Sequence, residues 1–308
     1  MGNLQILLFA LVLDYVVGDP QKLWRKFPHP AVLMGKMVSL FDAHLNNGSV
    51  LKIKGIASTI LLSFSAIFIG WFIKWLPDFN ILELISVTIL LAHNSLIKHV
   101  KDVGDSLNQS LSAGRKAVAC IVGRETKDLD ESNVSRAAVE SAAENFSDAV
   151  IAPAFWYIIF GLPGLILYKM TNTADSMVGY RTEKYLQYGF GAAKLDDLLN
   201  LIPSRICGIL MCIVYRSQHS FGIMIRDAKL HSSPNAGWPE SAMAALLNVA
   251  LSGPRIYNGK LTNDPFLNSA GRHNMTSNDI KKAIMVLNRS WFAFTFFIAT
   301  LVFFTWIF

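Results

Sequence analysis

The residues best suited to chemistry lie between positions 133 and 152, where polar side chains recur at steps of four. They are Arg136, Glu140, Glu144 and Asp148. On a helix this spacing stacks one basic and three acidic side chains along a ridge beside an apolar stripe. Carboxylates in such a row are the hard oxygen ligands that Mg²⁺ takes together with substrate phosphates. The alternative is a solvated face, in which an Arg136–Glu140 pair contributes about a few tenths of a kcal/mol.

A second group of polar residues begins where an apolar stretch ends, just after residue 168. On a helix Asn172, Asp175 and Gly179 share one face. The cations Arg181 and Lys184 follow shortly after. Polar residues at a membrane boundary are costly to keep without a function, so this pattern indicates a site. The alternative is an ordinary capped helix end.

A third group contains paired aspartates, Asp196 and Asp197, at the start of another apolar segment. Asn200, Ser204 and Arg205 follow at helical spacing. Two interpretations stay open here. The aspartates hold a metal and a nucleotide phosphate, or they neutralise the buried charge of Arg205.

The segment 231–240 is a turn rich in Pro, Gly and Asn that leads into a helix starting near Pro239. Backbone N–H groups at such a helix start are able to bind an anion, with Asn235 and Trp238 as candidate contacts. The alternative is a plain connection between loop and helix. The sequence lacks the glycine-rich phosphate loop, the dinucleotide fingerprint and the Ser nucleophile elbow.

The composition requires that these groups be positioned by membrane helices. The 308 residues are 52% hydrophobic and 16% charged, and the mean hydropathy is +0.37. Apolar runs at 55–75, 151–168 and 290–308 are each close to the roughly 20 residues that span a bilayer. Residues 1–17 predict a retained helix rather than a signal peptide. We therefore expect an all-α, polytopic integral membrane protein, with transmembrane or re-entrant helices and helical cytoplasmic loops.

Charge placement predicts the orientation of the helices. Residues 55–75 and 79–97 form a hairpin whose basic flanks face the cytoplasm and whose tip faces outward. The broken segments 151–170 and 198–215 either cross or re-enter the membrane. The polar loops 98–150, 171–197 and 216–289 then line one cytoplasmic site within a single domain, residues 1–308. The excess of basic over acidic residues, 28 − 22 = 6, suits an anionic membrane surface rather than a nucleic acid.

Read together, these segments resemble the CobD/CbiB family of cobalamin biosynthesis, the adenosylcobinamide-phosphate synthases. The matching stretches, in chain order, are LDYVVGDP (13–20), FPHP (27–30) with Met34-Gly35, VESAAEN (139–145) through DAVIAP (148–153), Tyr168 with NTADSMVGYRTE (172–183), AKLDDL (193–198) and SPNAGWP (233–239). They extend from the first helix to residue 240 and beyond. The match departs in the apolar spans and after Gly253.

The resemblance implies a multi-pass enzyme of the cell membrane, with its active site in the cytoplasm. The expected reaction joins the amine of aminopropanol, usually as its phosphate, to the propionate carboxyl of adenosylcobyric acid. ATP is the expected co-substrate that activates the carboxyl, with Mg²⁺. The expected partners are therefore the corrinoid, aminopropanol phosphate, ATP and the lipid bilayer. Other membrane proteins of the same pathway are further candidate partners, and no nucleic acid is expected to bind.

The resemblance also suggests roles for the candidate residues. Those expected to act in catalysis are Glu140, Glu144, Asp175 and Asp197. Those expected to bind substrate or phosphate are Arg136, Asn172, Arg181, Lys184, Arg205, Asn235 and Trp238. Those expected to hold metal are Asp148, Asp175, Asp196 and Asp197. Which carboxylate serves as the base stays open.

Two other functions are compatible with parts of the pattern. An intramembrane prenyl- or alkyltransferase would bind Mg-diphosphate at Asn172 and Asp175, but it usually needs a second acidic cluster of similar form. A non-catalytic membrane sensor would not need so many polar residues at helix ends.

Overall fold

A computed structural model describes residues 2–20, 24–257 and 260–307 and is dominated by α-helices. The helices are α1 (Asn3–Val17), α2 (Pro30–Leu45), α3 (Leu51–Trp75), α4 (Ile81–Leu90), α5 (His93–Gln109), α6 (Leu111–Val118), α7 (Glu131–Phe146), α8 (Ala152–Val178), α9 (Phe190–Leu199), α10 (Leu201–Val214), α11 (Gln218–Asp227), α12 (Gly237–Leu247) and α13 (Ser277–Ile307). A π-helix, Ser147–Ile151, joins α7 to α8, and a 3₁₀ turn, Ala228–Leu230, follows α11. The strands are β1 (Leu251–Ser252), β2 (Ile256–Tyr257), β3 (Lys260–Leu261) and β4 (Phe266–Leu267).

The helices include several that are long and apolar enough to cross a bilayer. In the described part of the chain four stretches meet this condition, and a bent pair makes a fifth if it is one span. They are Leu51–Trp75, Ile81–Gln109, Glu131–Val178 and Ser277–Thr305, with the pair Phe190–Leu199 and Leu201–Val214. At about 1.5 Å per residue each stretch is longer than the roughly 30 Å hydrocarbon core. The prediction of an all-α polytopic membrane protein is therefore confirmed.

The chain divides into two compact units. Unit 1 consists of Met1–Ala92, Ala152–Asn200 and Ile298–Phe308. Unit 2 consists of His93–Ile151 and Leu201–Phe297. The predicted polar loops 98–150 and 216–289 both fall in unit 2, whereas the whole of loop 171–197 falls in unit 1.

In unit 1 the predicted hairpin is present, with its turn where the sequence placed it. The Asp78 carboxylate accepts hydrogen bonds from the backbone N–H groups of Asn80 (3.1 Å) and Leu82 (2.6 Å). These bonds satisfy amide groups at the start of α4, which have no partner within the helix. Helix α4 ends at Leu90, earlier than the predicted residue 97, because Leu91 leaves the helical conformation.

Helices α3 and α8 pack closely in unit 1 because glycines face the contact. A Cβ at Gly70 would lie 2.5 Å from Cα of Pro163, so only hydrogen fits there. The interruption expected near residues 161–164 is a kink at Gly161, whose φ of 65° lies in the left-handed region. Helix α8 continues beyond Pro163 to Val178.

In unit 2 helix α7 is surrounded on nearly all sides by protein. Every residue from Val134 to Ala143 is buried, and α7 packs against α5, α6 and α12. The antiparallel pair β1–β4, with Leu251 opposite Leu267, covers part of α7. The apolar stripe of α7 was predicted correctly, but the burial of its polar face was not.

Candidate functional site

The centre of unit 2 is a carboxylate held between two guanidinium groups. Oε2 of Glu140 lies 3.1 Å from Nη2 of Arg124 and 3.3 Å from Nη2 of Arg255. Oε1 of Glu140 accepts a 2.6 Å hydrogen bond from the backbone N–H of Ser252. The Glu140 side chain is only 7% exposed. Both oxygens are thus bound by strong donors in a site that is largely closed to water.

Local structure brings these three side chains together. Asp130 is the N-cap of helix α7, and its carboxylate accepts a hydrogen bond from the Asn133 N–H at 2.7 Å. The loop with Arg124 is held to α7 by the Ser141 hydroxyl, which donates to the Ile121 carbonyl at 2.8 Å. Gly253 has a φ of 86°, which permits the turn between β1 and Arg255.

A second carboxylate, Glu240 on α12, lies beside this ion cluster. Its Oε1 is 3.7 Å from Nε2 of His231, and its Oε2 is 3.9 Å from Nη2 of Arg255. Burial raises the pKa of Glu240, and the negative charges of Glu140 and Glu144 raise it further. Burial also lowers the pKa of His231, and the charge of Arg255 adds to that effect.

Arg136 does not form the ion pair with Glu140 that its spacing suggested. Its guanidinium donates to the carbonyl oxygens of Ala250 (3.1 Å) and His273 (2.6 Å) and to Asn133. The reason is that segments of the chain after α12 cover this side of α7 and present carbonyl groups. Glu140 instead forms ion pairs with Arg124 and Arg255.

Of the two remaining residues of the predicted ridge, Glu144 lies within α7 and only Asp148 departs from the α-helical pattern. Glu144 is exposed, and Asp148 lies in the π-helix with an intermediate exposure. The wider π-helical turn changes the spacing after Phe146, so steps of four no longer keep side chains in line. The ridge is therefore continuous from Arg136 to Glu144 but not beyond.

Three of the predicted substrate-binding residues meet in unit 2. Arg205 donates a 2.7 Å hydrogen bond to Oδ1 of Asn235, and its guanidinium lies 4.7 Å from the centre of the Trp238 ring. The Ser233 hydroxyl accepts from the N–H groups of Asn235 and Ala236, both at 3.2 Å. These two N–H groups already donate to Ser233. The part of this turn that is suited to bind a ligand is therefore the Arg205 guanidinium beside the Trp238 ring.

In unit 1 the predicted polar residues of α8 and α9 form a hydrogen-bond network. Asn172 donates to Oδ1 of Asp196 at 3.3 Å, and Asn200 donates to Oδ2 at 3.0 Å. The Tyr168 hydroxyl in turn donates to Asn200 at 3.0 Å. Asp197 forms an ion pair with Lys194 at 3.0 Å. The structure therefore joins Asn172 to Asp196, two candidate residues that the sequence placed in separate groups.

Residues near the N-terminus belong to the same region of unit 1. His29 lies 3.7 Å from Asp19, and its Nδ1 accepts from the Ala31 N–H at 3.1 Å, which caps α2. Burial lowers the pKa of His29, with an opposing effect of Asp19 and a further lowering by Lys169. Segments 13–20, 27–30, 172–183 and 193–198 thus all contribute to unit 1.

The cations after α8 are not on a helical face. Helix α8 ends at Val178, so Arg181 and Lys184 lie in the turns that follow, and both are exposed. Lys184 contacts Oδ2 of Asp42 at 3.1 Å and the Tyr185 hydroxyl at 2.7 Å. These hydrogen bonds, to Tyr185 first and then to Asp42, raise the pKa of Lys184.

A magnesium site was predicted at Asp148, Asp175, Asp196 and Asp197. Within the described residues, no group of three or more His, Cys, Asp or Glu side chains is arranged to hold a metal ion. Mg²⁺ that keeps its waters and binds substrate phosphates needs only one or two protein carboxylates. Asp148 belongs to unit 2 and the other three aspartates to unit 1, where Asp196 with Asn172 supplies oxygen donors, and the magnesium site stays a prediction.

The arginine partners of Glu140, the second buried carboxylate and its histidine neighbour were not predicted from the sequence. These residues are Arg124, His231, Glu240 and Arg255. One signal was present for Glu240, because it is the single charged residue in the otherwise apolar stretch of α12. Arg124 and Arg255 lie in loops with no periodic pattern, and only the fold brings them to Glu140.

Comparison with known proteins identifies the family. The family model described as CobD/Cbib protein matches residues 7–287. Cobalamin biosynthesis protein CobD of Sinorhizobium fredii is 44% identical over 301 residues, covering 92% of each chain. The protein of that name from Rhizobium meliloti is 43% identical over 310 residues, covering 95% of each chain. That from Halalkalibacterium halodurans is 38% identical over 304 residues, covering 94% of this chain and 93% of the relative.

No solved structure matches the chain significantly. The family match covers nearly all of the chain, and the relatives align along almost their full lengths. The segments that carried the resemblance are thus part of an alignment that extends through both units. The chain belongs to the CobD/CbiB family.

Proposed function

We propose that this protein is an enzyme of cobalamin biosynthesis that forms an amide bond at the expense of ATP. It joins the amine of aminopropanol, or of aminopropanol phosphate, to the propionate carboxyl of adenosylcobyric acid. The product is adenosylcobinamide or its phosphate. The names of the relatives support the pathway, and the ion cluster of unit 2 supports the chemistry.

The single observation that carries the proposed chemistry is the buried cluster of Arg124, Glu140 and Arg255. Burying ions is costly, and a lipid environment makes it more so, so such a cluster is rarely kept for packing alone. The proposed reactants carry carboxylate and phosphate groups, which repel one another. Fixed guanidinium groups relieve that repulsion and orient the reacting groups.

A second feature suits the large, flat corrinoid substrate. The Arg205 guanidinium lies over the Trp238 ring and is only partly buried. A cation beside an aromatic surface is suited to a ligand that has both apolar faces and anionic groups. We propose that Arg205, Asn235 and Trp238 bind the corrinoid or the phosphate of the aminoalcohol.

Unit 1 is proposed to serve the nucleotide. Asp175, Asp196 and Asp197 would hold Mg²⁺, with Asn172 beside them, and Arg181 and Lys184 would contact phosphate. Bound Mg²⁺ supplies charge neutralisation for the phosphates of ATP. The expected setting is the cell membrane with the site facing the cytoplasm, which is supported by the basic flanks of the hairpin.

The test is amide synthesis by the protein purified in detergent. The complete reaction contains adenosylcobyric acid, ATP, Mg²⁺ and, in parallel samples, aminopropanol or aminopropanol phosphate, and mass spectrometry detects the product. We expect product only in the complete mixture, and a large loss with Arg124→Ala. Product formed without ATP, or no product from a folded protein in the complete mixture, would refute the proposed function.

A further inference from the structure

Unit 2 contains two buried carboxylates whose surroundings differ. Glu140 accepts from the Ser252 N–H and lies within ion-pair distance of Arg124 and Arg255. Donors of this kind favour the ionised form and occupy both carboxylate oxygens. Glu140 is therefore suited to hold the two arginines in place and is poorly placed to accept a proton.

Glu240 has the opposite surroundings. It is 2% exposed, and among the described residues its Oε2 has no hydrogen-bond partner. The charged or titratable groups that face it are Glu140 and Glu144 from α7, Arg124 from the loop before α7, Arg255 after β1, and His231 before α12. A buried carboxyl oxygen without a hydrogen bond is costly, which points to a ligand that completes the site.

His231 is oriented by its other ring nitrogen. The backbone N–H of Ser233 donates to Nδ1 at 3.0 Å, so neutral His231 carries its hydrogen on Nε2. Nε2 has no hydrogen-bond partner in the described part of the chain, and the side chain is 7% exposed. It lies 3.7 Å from Oε1 of Glu240, an electrostatic contact slightly longer than a hydrogen bond.

We propose that Glu240 accepts the proton of the attacking amine, with His231 as its positioning residue. This assignment rests on the proposed function. The amine lone pair forms the C–N bond to the activated carboxyl carbon, and the C–O bond to the ATP-derived phosphate breaks. The phosphate leaves with that electron pair, and the nitrogen gives its proton to Glu240, which later releases it to solvent.

The different surroundings of the two carboxylates support separate roles. Burial and the neighbouring negative charges raise the pKa of Glu240. A carboxylate with a raised pKa is a stronger base near neutral pH than an ordinary one. When the surroundings of two nearby carboxyl groups push their pKa values apart, one group can serve as the base while the other stays ionised and acts electrostatically.

The first test is the variant Glu240→Gln, which keeps the size of the side chain but cannot accept a proton. We expect kcat to fall by about 10²- to 10⁴-fold, with little change in the KM for ATP. His231→Gln should shift the acidic limb of the kcat pH profile, which a merely structural residue would not do. The matched control is Glu83→Gln, because Glu83 is equally buried at 2% but lies in unit 1, and its kcat should be unchanged.

A second test uses the wild-type protein and does not depend on the folding of a variant. Dicyclohexylcarbodiimide adds to buried, protonated carboxyl groups, and peptide mapping identifies the labelled residue. We expect label on Glu240, protection by aminopropanol phosphate, and loss of amide synthesis in proportion to labelling. Absence of label on Glu240, or full turnover by labelled protein, would overturn the assignment.

The two proposals fail in different ways. If folded wild-type protein forms no amide, the proposed function fails. If the wild type is active and Glu240→Gln has the same kcat and pH profile, only the assignment of Glu240 fails.

Discussion

At the scale of single residues, the ion cluster of unit 2 shows why a side chain cannot be assigned a partner from spacing alone. Arg136 and Glu140 are four residues apart, yet they do not pair with each other. Arg136 donates to backbone carbonyl groups, and Glu140 forms ion pairs with two arginines from loops. The i,i+4 rule describes an exposed helix, and α7 is buried on nearly every side. The candidate residues were identified from the sequence, but their partners depended on the fold.

Removal of the Glu140 carboxylate should destabilise unit 2. Glu140→Ala removes the carboxylate that Arg124 and Arg255 share, at a cost of about 3–5 kcal/mol. Thermal unfolding in detergent should show a clear drop in Tm. Glu144→Ala, on the exposed side of the same helix, should change Tm little. Equal Tm values for the two variants would contradict a structural role for the cluster.

Asp175 and Asp197 are expected to be needed for turnover rather than for folding. The Lys194 side chain that pairs with Asp197 is 61% exposed, and exposed pairs contribute at most about 1 kcal/mol. Asp175→Asn and Asp197→Asn should therefore keep a nearly normal Tm but lose most of kcat, with partial rescue by higher Mg²⁺. Full activity of Asp175→Asn would remove that residue from the site.

At the scale of helices, close packing of α3 on α8 depends on glycine. Gly70→Ala would place a Cβ 2.5 Å from Cα of Pro163, and such overpacking costs about 1–3 kcal/mol. The matched control is Gly222→Ala in α11, where a Cβ meets nothing within 4 Å. We expect a lower Tm for Gly70→Ala only. An unchanged Tm would show that the two helices can separate without loss.

The elements that the sequence predicted well are those with a strong local signal. The apolar run of α3 and the Asp78 turn were located within a few residues, because length, hydropathy and turn chemistry are local properties. The break at Leu91, the π-helix after Phe146 and the short strand pairs were missed. They depend on contacts between distant parts of the chain, such as Leu251 with Leu267, which no local pattern encodes.

At the scale of the whole molecule, several apolar helices make this a polytopic membrane protein, and its orientation is a prediction from charge. Single cysteines placed at Lys127, Gln187 and Ser269, after replacement of Cys120, Cys207 and Cys212, test it. Each of the three probe positions is exposed. We expect all three to resist an impermeant maleimide in intact cells and to react after lysis.

The control for this experiment is a cysteine at the hairpin tip. Phe79 is 93% exposed and lies in the turn predicted to face outward, so Phe79→Cys should react in intact cells. Reaction of position 187 from outside would contradict a cytoplasmic site in unit 1. If the cysteine at position 79 reacted only after lysis, the predicted outward orientation of the hairpin tip would be contradicted.

In the proposed reaction ATP transfers its terminal phosphate to the corrinoid carboxyl, with release of ADP, and the amine then displaces that phosphate. Adenosylcobyric acid labelled with ¹⁸O in its propionate carboxyl tests this claim most directly, in the reaction with ATP, Mg²⁺ and aminopropanol phosphate. We expect each amide formed to be accompanied by one ¹⁸O atom in the released inorganic phosphate. Amide formed with no ¹⁸O in that phosphate, or ATP hydrolysis without amide, would contradict it.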